Sequence, residues 1–255
     1  MFRPRVIPCL LLKDKGLVKT INFQNPNYIG DPINAVRLFN DFEADELVFL
    51  DIDASKTGKP VDLNFVKKIG EEAFMPFAVG GGISSLDEIH SILNNGAEKV
   101  VINTSVIVNP NFIKEAAEVF GSQSIIVSID VKKESGKYKA YTKSGTKESG
   151  FEAIDLAKQM EKLGAGELII NSIDKDGTMS GFDLELIKKI SSAVNIPVIA
   201  LGGAGKLSDF KKAVNSGATA VAAGSLFVYS GKNKGILINY PDKKELREIF
   251  ADRIL

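Results

Sequence analysis

The chain of 255 residues contains one cysteine, Cys9, and one histidine, His90. A single thiol allows no internal disulfide, which suits a reducing cytosol and sets a cytoplasmic location as the expectation. One histidine and one cysteine also argue against a metal site built from those ligands. Cys9 lies inside an apolar run, where a free thiol packs rather than reacts. His90 falls in the third predicted helix and reads as a surface residue. Net charge is absent: 32 basic residues balance 32 acidic ones, so neither nucleic acid nor a membrane surface is implied as a partner. No apolar stretch approaches the roughly 20 residues of a membrane span. No linker or low-complexity segment divides the chain, and a single α/β barrel can use up its whole length.

What the sequence does have is a long internal repeat. Met75-Pro-Phe-Ala-Val-Gly-Gly-Gly-Ile83 is an apolar run that stops in three glycines, and Ile196-Pro-Val-Ile-Ala-Leu-Gly-Gly-Ala-Gly205 repeats the pattern. With Pro197 laid over Pro76, the match spreads both ways without a gap. Glu46-Leu-Val-Phe-Leu-Asp-Ile-Asp53 overlies Glu167-Leu-Ile-Ile-Asn-Ser-Ile-Asp174, and Asp62-Leu-Asn-Phe-Val-Lys-Lys-Ile69 overlies Asp183-Leu-Glu-Leu-Ile-Lys-Lys-Ile190. A repeat this long is a duplicated half-domain rather than a solenoid unit. The halves join near Gly121, at about residues 1–121 and 122–255.

Short apolar runs without polar alternation read as strands buried on both faces. They fall at 6–12, 47–52, 77–79, 99–102, 124–131, 168–173, 198–200 and 220–223. Helices are expected between them. One opens at Asp31-Pro32, Ser85 and Ser208 are expected caps, one spans 150–163, and the last covers 242–250. The polar stretch from Lys13 to Gly30 is long for a βα connection and is a candidate lid. Eight βα units in order predict a closed (β/α)8 TIM barrel made of two half-barrels, in preference to an open doubly wound sheet.

In such a barrel the chemistry sits at the C-terminal strand ends. Gly81-Gly82 follows the third strand and Asn103-Thr104 ends the fourth. The repeat puts Gly202-Gly203 and Gly224-Ser225 at the matching places. Glycine lets backbone N–H groups approach an anion, and the next helix N-terminus adds its dipole. Two such places predict a ligand with a phosphate at each end. Between them lie five carboxylates: Asp51, Asp53, Asp130, Asp174 and Asp176. Most are expected to be caps or loop ion pairs. Asp130 is the best acid–base candidate, because it ends the fifth strand and has no helix to cap. The repeat sets Leu11 opposite Asp130, and Leu201 over Gly80, so half the mouth is apolar. On the floor, Arg5, Glu46, Lys99 and Glu167 each start a strand. They are either solvated charges or a salt-bridged ring.

The chain resembles the cyclase subunit of imidazole glycerol phosphate synthase over essentially its whole length. The residues that carry the likeness include Asp45-Glu-Leu-Val-Phe-Leu-Asp51, Val79-Gly-Gly-Gly-Ile83, Lys99-Val-Val-Ile-Asn-Thr104, Asp174-Lys-Asp-Gly-Thr178 and Gly202-Gly-Ala-Gly-Lys206. The resemblance implies a glutaminase partner on the barrel floor, in a heterodimer. Its ammonia passes a charged gate matched by Arg5, Glu46, Lys99 and Glu167, then attacks a bisphosphorylated ribulosyl intermediate at the mouth. It implies Asp130, Lys19 and Asp176 as catalytic residues, with Phe23 on the same loop as Lys19, and requires no cofactor. The family's other catalytic aspartate, on the first strand, is replaced by Leu11. Its usual Thr at the end of the sixth strand is Asn171, and its usual Ser after the seventh is Leu201. Val6-Ile-Pro-Cys-Leu-Leu-Leu-Lys13 and Leu237-Ile-Asn-Tyr-Pro241 resemble a branch associated with surface-polysaccharide synthesis. That branch implies delivery of ammonia to a third protein, an amidotransferase that makes an acetamidino sugar. A true cyclase of histidine biosynthesis and a half-barrel sugar isomerase are the alternatives. Leu11 counts against the isomerase too.

Overall fold

The computed structural model describes residues 3–231 and 233–251. The extreme ends of the two expected halves therefore lie outside the described residues. Among these, no helix is long and apolar enough to cross a membrane.

The strands of the main sheet in chain order are β1 (Arg5–Lys13), β2 (Gly16–Ile21), β3 (Gln24–Gly30), β4 (Leu47–Asp51), β5 (Phe77–Gly80), β6 (Lys99–Ile102), β7 (Ile125–Glu134), β8 (Lys137–Thr142), β9 (Lys147–Glu152), β10 (Glu167–Ser172), β11 (Val198–Leu201) and β12 (Ala220–Ala223). Eight of them run parallel in the order β10-β11-β12-β1-β4-β5-β6-β7, and β7 pairs with β10 to close the barrel. Four come from each half of the chain. Closure leaves the barrel with no edge strand.

Alternation along the strands divides the core in two. Val6, Leu10 and Leu12 of β1 pack outward beneath the helices. Ile7 and Cys9 face the barrel lumen, with Val48, Ala78, Ile126, Ile169 and Ile199 from other strands. Burial on both faces is why these strands read as unbroken apolar runs. The helices outside are amphipathic, and several are capped by side chains at their N-termini. Asp31 accepts from Asn34 N at 2.9 Å and Asp183 from Leu186 N at 3.0 Å. Ser85 and Glu88 form a reciprocal capping box. An aromatic file closes the seam between the last and first units. Phe210 meets Phe227 at 5.9 Å, Phe227 meets Tyr240 at 5.3 Å, and Tyr240 meets Phe39 at 6.4 Å. Tyr240 also donates its hydroxyl to Val6 O at 2.8 Å, tying the C-terminal segment to β1.

Four expectations need correction. The stretch 13–30 is not an open loop but the hairpin β2–β3, paired antiparallel to β1. Asp14 and Lys15, which turn β1 into β2, and Asn22 and Phe23, which turn β2 into β3, adopt positive φ, and Leu17, Val18 and Ile29 are buried. Asp130 does not end its strand, since β7 runs on to Glu134 and folds into a second hairpin, β8–β9. That hairpin delays the next helix, which starts at Ala153 rather than 150. Ser208 is not a cap: the helix begins at Leu207, and Asp209 ties down the N–H groups of Gly205 and Lys206.

Candidate active site at the barrel mouth

The C-terminal strand ends enclose a cavity of about 140 Å³. All eight residues expected at phosphate sites line it: Gly81, Gly82, Asn103, Thr104, Gly202, Gly203, Gly224 and Ser225. Gly203 holds φ +109, and a Cβ there would fall 2.3 Å from Gly181 O, so the turn after β11 requires glycine. Asp130, Lys19 and Asp176 line the same cavity, as do Leu11, Leu50, Leu201 and Asn171.

Asp130 is 8 % exposed. Asn103 Nδ2 donates to its Oδ2 at 3.0 Å and to Ser128 O at 2.9 Å. Burial, reinforced by the charge of Asp176, lifts Asp130 to about 7, while the amides of Asn103 and Asn171 pull the other way. A carboxyl group titrating there can give or take a proton near neutral pH.

Asn171, the next-to-last residue of β10, stands between Asp130 on β7 and Leu201 on β11. It is 5 % exposed, and its Oδ1 has no hydrogen-bond partner. A buried acceptor left unmade costs about 1–3 kcal/mol.

Lys19 and Asp176 meet through the first hairpin. Lys19 is buried and donates from Nζ to Cys9 O at 2.8 Å. Burial lowers its pKa, against the pull of Cys9 and Asp176. A Cβ on Gly224 would fall 2.0 Å from Nζ, so glycine there makes room for the ammonium group. Asp176 is raised by burial, although the Thr20 hydroxyl bonds it at 2.8 Å and Lys19 lies close. Asn22 N donates to Asp176 O at 2.9 Å, so the hairpin is latched to the loop after β10. Cys9 is pushed up to about 12 by burial and is no nucleophile.

The other three carboxylates do ordinary work. Asp51 accepts from Asp53 N at 3.0 Å and Ala54 N at 3.1 Å. Asp53 pairs with Lys13. Asp174 is exposed and accepts from Lys133 N at 2.8 Å. The second hairpin adds residues that the sequence reading missed. Ser144 reaches Ile52 O at 2.6 Å, and Lys143 N donates to the Thr104 hydroxyl at 3.2 Å. A Cβ on Gly145 would meet the Phe23 ring at 2.8 Å, so the two hairpins touch above the cavity. The alternation of buried Tyr138, Ala140 and Thr142, ending in Ser144-Gly145, was the available signal.

On the floor, Arg5 bonds both Glu46 and Glu167, and Lys99 Nζ bonds Glu46 at 3.1 Å and Glu167 at 2.7 Å. The four side chains form a closed ring of alternating charge across the lumen. Burial pushes the Glu167 carboxyl up, but the bonds from Arg5 and Lys99 outweigh it and hold the group below the ordinary glutamate value. Among the described residues, no cluster of histidine, cysteine, aspartate and glutamate could hold a metal ion.

The profile of the family described as "Histidine biosynthesis protein" matches residues 5–234. A Leptospira borgpetersenii protein, provisionally named imidazole glycerol phosphate synthase subunit HisF, is 49% identical across 98% of this chain and 100% of its own length. The imidazole glycerol phosphate synthase subunit HisF of Alkaliphilus metalliredigens is 47% identical across 90% of this chain and 92% of its own. The protein of that name from Thermococcus onnurineus is 45% identical across 99% and 97%. With the barrel and the mouth already matching, these likenesses make the chain a member of the histidine biosynthesis protein family, related to the HisF subunits of imidazole glycerol phosphate synthase.

Proposed function

We propose that the chain is the barrel subunit of a glutamine-dependent amidotransferase complex in the cytoplasm. A glutaminase binds the floor as the other half of a heterodimer. Its ammonia enters past Arg5, Glu46, Lys99 and Glu167 and rises through the apolar lumen, where Ala78, Ala220 and Ala222 contribute the smallest side chains. At the mouth it is handed to a third protein that converts an acetamido sugar to an acetamidino sugar for surface polysaccharide.

Leu11 carries this reading. In the strand order, β1 and β7 are four strands apart in either direction, so Leu11 and Asp130 stand diametrically opposed. Cyclisation asks for a proton donor and an acceptor on opposite sides of the substrate, and leucine is neither. Losing one member of an acid–base pair costs on the order of 10²–10⁴-fold. Similar proteins of Pseudomonas aeruginosa and Vibrio vulnificus carry the numbered names hisF2 and hisF3, which fits a second copy beside a histidine-pathway enzyme.

The second reading is a true cyclase that forms imidazole glycerol phosphate and an aminoimidazole carboxamide ribotide. The two glycine-lined turns favour it, because they retain the cradle for a ligand phosphorylated at both ends. The floor is tested by mixing the chain with its glutaminase and following glutamine hydrolysis with ammonia transfer. Association with coupled transfer is expected, and Lys99→Ala should uncouple the two. Unchanged coupling in Lys99→Ala would reduce the ring to ordinary strand-start charges.

A further inference from the structure

Three carboxylates line the cavity at the mouth, Asp51, Asp130 and Asp176, but among the described residues only two basic side chains do, Lys19 and Lys56. Lys19 belongs to the second-half glycine cradle, where its Nζ lies 2.0 Å from the place a Cβ on Gly224 would take. Lys56 belongs to the first. It stands on a short helix, Ala54–Thr57, in a segment that wraps the Gly81-Gly82 turn. A Cβ on Gly82 would meet Ala54 Cβ at 3.2 Å and Lys59 O at 2.9 Å, and Val61 N donates to Gly81 O at 3.2 Å. The internal repeat sets Gly177 at the place of Lys56, so the second half has no matching cation. Nor does a neighbouring carboxylate hold Lys56. Its Nζ is 3.9 Å from Asp53 Oδ1, beyond hydrogen-bond range, and Asp53 Oδ2 is already bonded by Lys13.

We propose that Lys56 is the counter-cation of the first-half cradle and binds one terminal phosphate of the ligand. The inference rests on the reading above of a ligand phosphorylated at both ends, and it adds a side-chain charge to turns that otherwise offer backbone N–H groups. The cradle needs that charge. Asp51 backs the same turn, with its Cβ 2.7 Å from the place a Cβ on Gly81 would take, and its carboxylate opposes an anion there. A flexible four-carbon stem lets the ammonium group leave Asp53 for a ligand oxygen. Bonds from an ammonium group to phosphate are about twice as strong as neutral ones. The Lys56 side chain is 41% exposed, so solvent screens the contact and its worth is modest, roughly three- to tenfold in affinity.

The two cradles serve as controls for each other within one molecule. Inorganic phosphate is titrated into the nitrogen-15-labelled full chain at constant ionic strength. The amide signals of Gly82 and Gly203 report the affinity at each turn separately. Lys56→Met keeps the length of an exposed side chain and removes its charge. It should weaken phosphate about three- to tenfold at Gly82 and leave Gly203 unchanged, while Lys56→Arg should retain most of the affinity. Lys59 is exposed on the same segment but does not line the cavity, so Lys59→Met should alter neither turn. Equal affinity at Gly82 in the wild type and Lys56→Met would overturn the assignment, and so would an equal loss in Lys59→Met, which would mark a general effect of surface charge. Phosphate shifts at neither turn of the wild type would remove the cradle reading and this inference with it. Binding at both turns that ignores Lys56→Met would remove this inference alone.

Discussion

Asp130 is a buried carboxyl whose native titration near 7 should be visible in the stability of the whole protein. Its ordinary value is close to 4, and burial raises it to about 7. The native state therefore holds a proton that the unfolded chain has released, over the window between those values. Where the native state binds more protons, stability falls as pH rises. The contribution is fully present below pH 4 and is gone once pH passes 7. The whole shift corresponds to roughly 4 kcal/mol, of which about 2–3 kcal/mol falls between pH 5 and 8. Asp130→Asn keeps an acceptor for the Asn103 amide and removes the titration. Urea denaturation of both proteins at pH 5 and pH 8 isolates the effect, because groups common to both cancel. The variant should gain about 2–3 kcal/mol on the wild type between pH 5 and pH 8. A constant difference across that window would refute the burial argument for Asp130.

Further outcomes follow from other parts of the structure. Lys99→Ala leaves buried Glu46 and Glu167 facing Arg5 alone and should cost about 2–4 kcal/mol at pH 7, read by urea denaturation. Because the bonds from Arg5 and Lys99 depress Glu167, its stabilising share is lost as pH falls through the native value, so the cost should shrink in acid. Gly224→Ala puts a methyl group 2.0 Å from Lys19 Nζ and should displace that side chain without unfolding the barrel, seen as faster reductive methylation of Lys19. Gly166→Ala drives a Cβ to 2.0 Å from Ser122 O, a backbone atom that cannot yield, and should cost about 3 kcal/mol or more in thermal denaturation. Crystals soaked in phosphate should show anions at Gly82/Asn103 and at Gly203/Ser225; density at neither place would end the case for a bisphosphate cradle.

The barrel was legible because duplication and burial leave strong marks on a sequence. Strands buried on both faces lose polar alternation, and the glycine turns after β5 and β11 repeat at one offset. The capping residues Asp31 and Ser85 placed their helix starts. The two mouth hairpins were hidden by their composition. Lys13, Lys15 and Lys19 make the stretch leading through β2 look like a polar loop, although Lys19 is buried with its charge on a carbonyl. In β8 and β9 one face is solvated, so their lysines and glutamates resemble linker. Asp130 was found by position, but its partner Asn103 was read only as an anion ligand. The hydrogen bond between them joins β6 to β7 and depends on side-chain geometry that no spacing rule reports. Asn171 stood out in the sequence as a departure, yet only its burial showed that its oxygen is unpaired.

Turnover in the absence of any glutaminase tests the conduit account most directly. The purified chain is supplied with the bisphosphorylated ribulosyl substrate and saturating ammonium chloride, and substrate consumption is followed for the wild type and for Leu11→Asp. With leucine opposite Asp130, the wild type should turn over far below about 1 s⁻¹, and the carboxylate in Leu11→Asp should raise the rate about 10²-fold or more. Wild-type turnover of about 1 s⁻¹ or faster would contradict the conduit reading and make the chain a working cyclase.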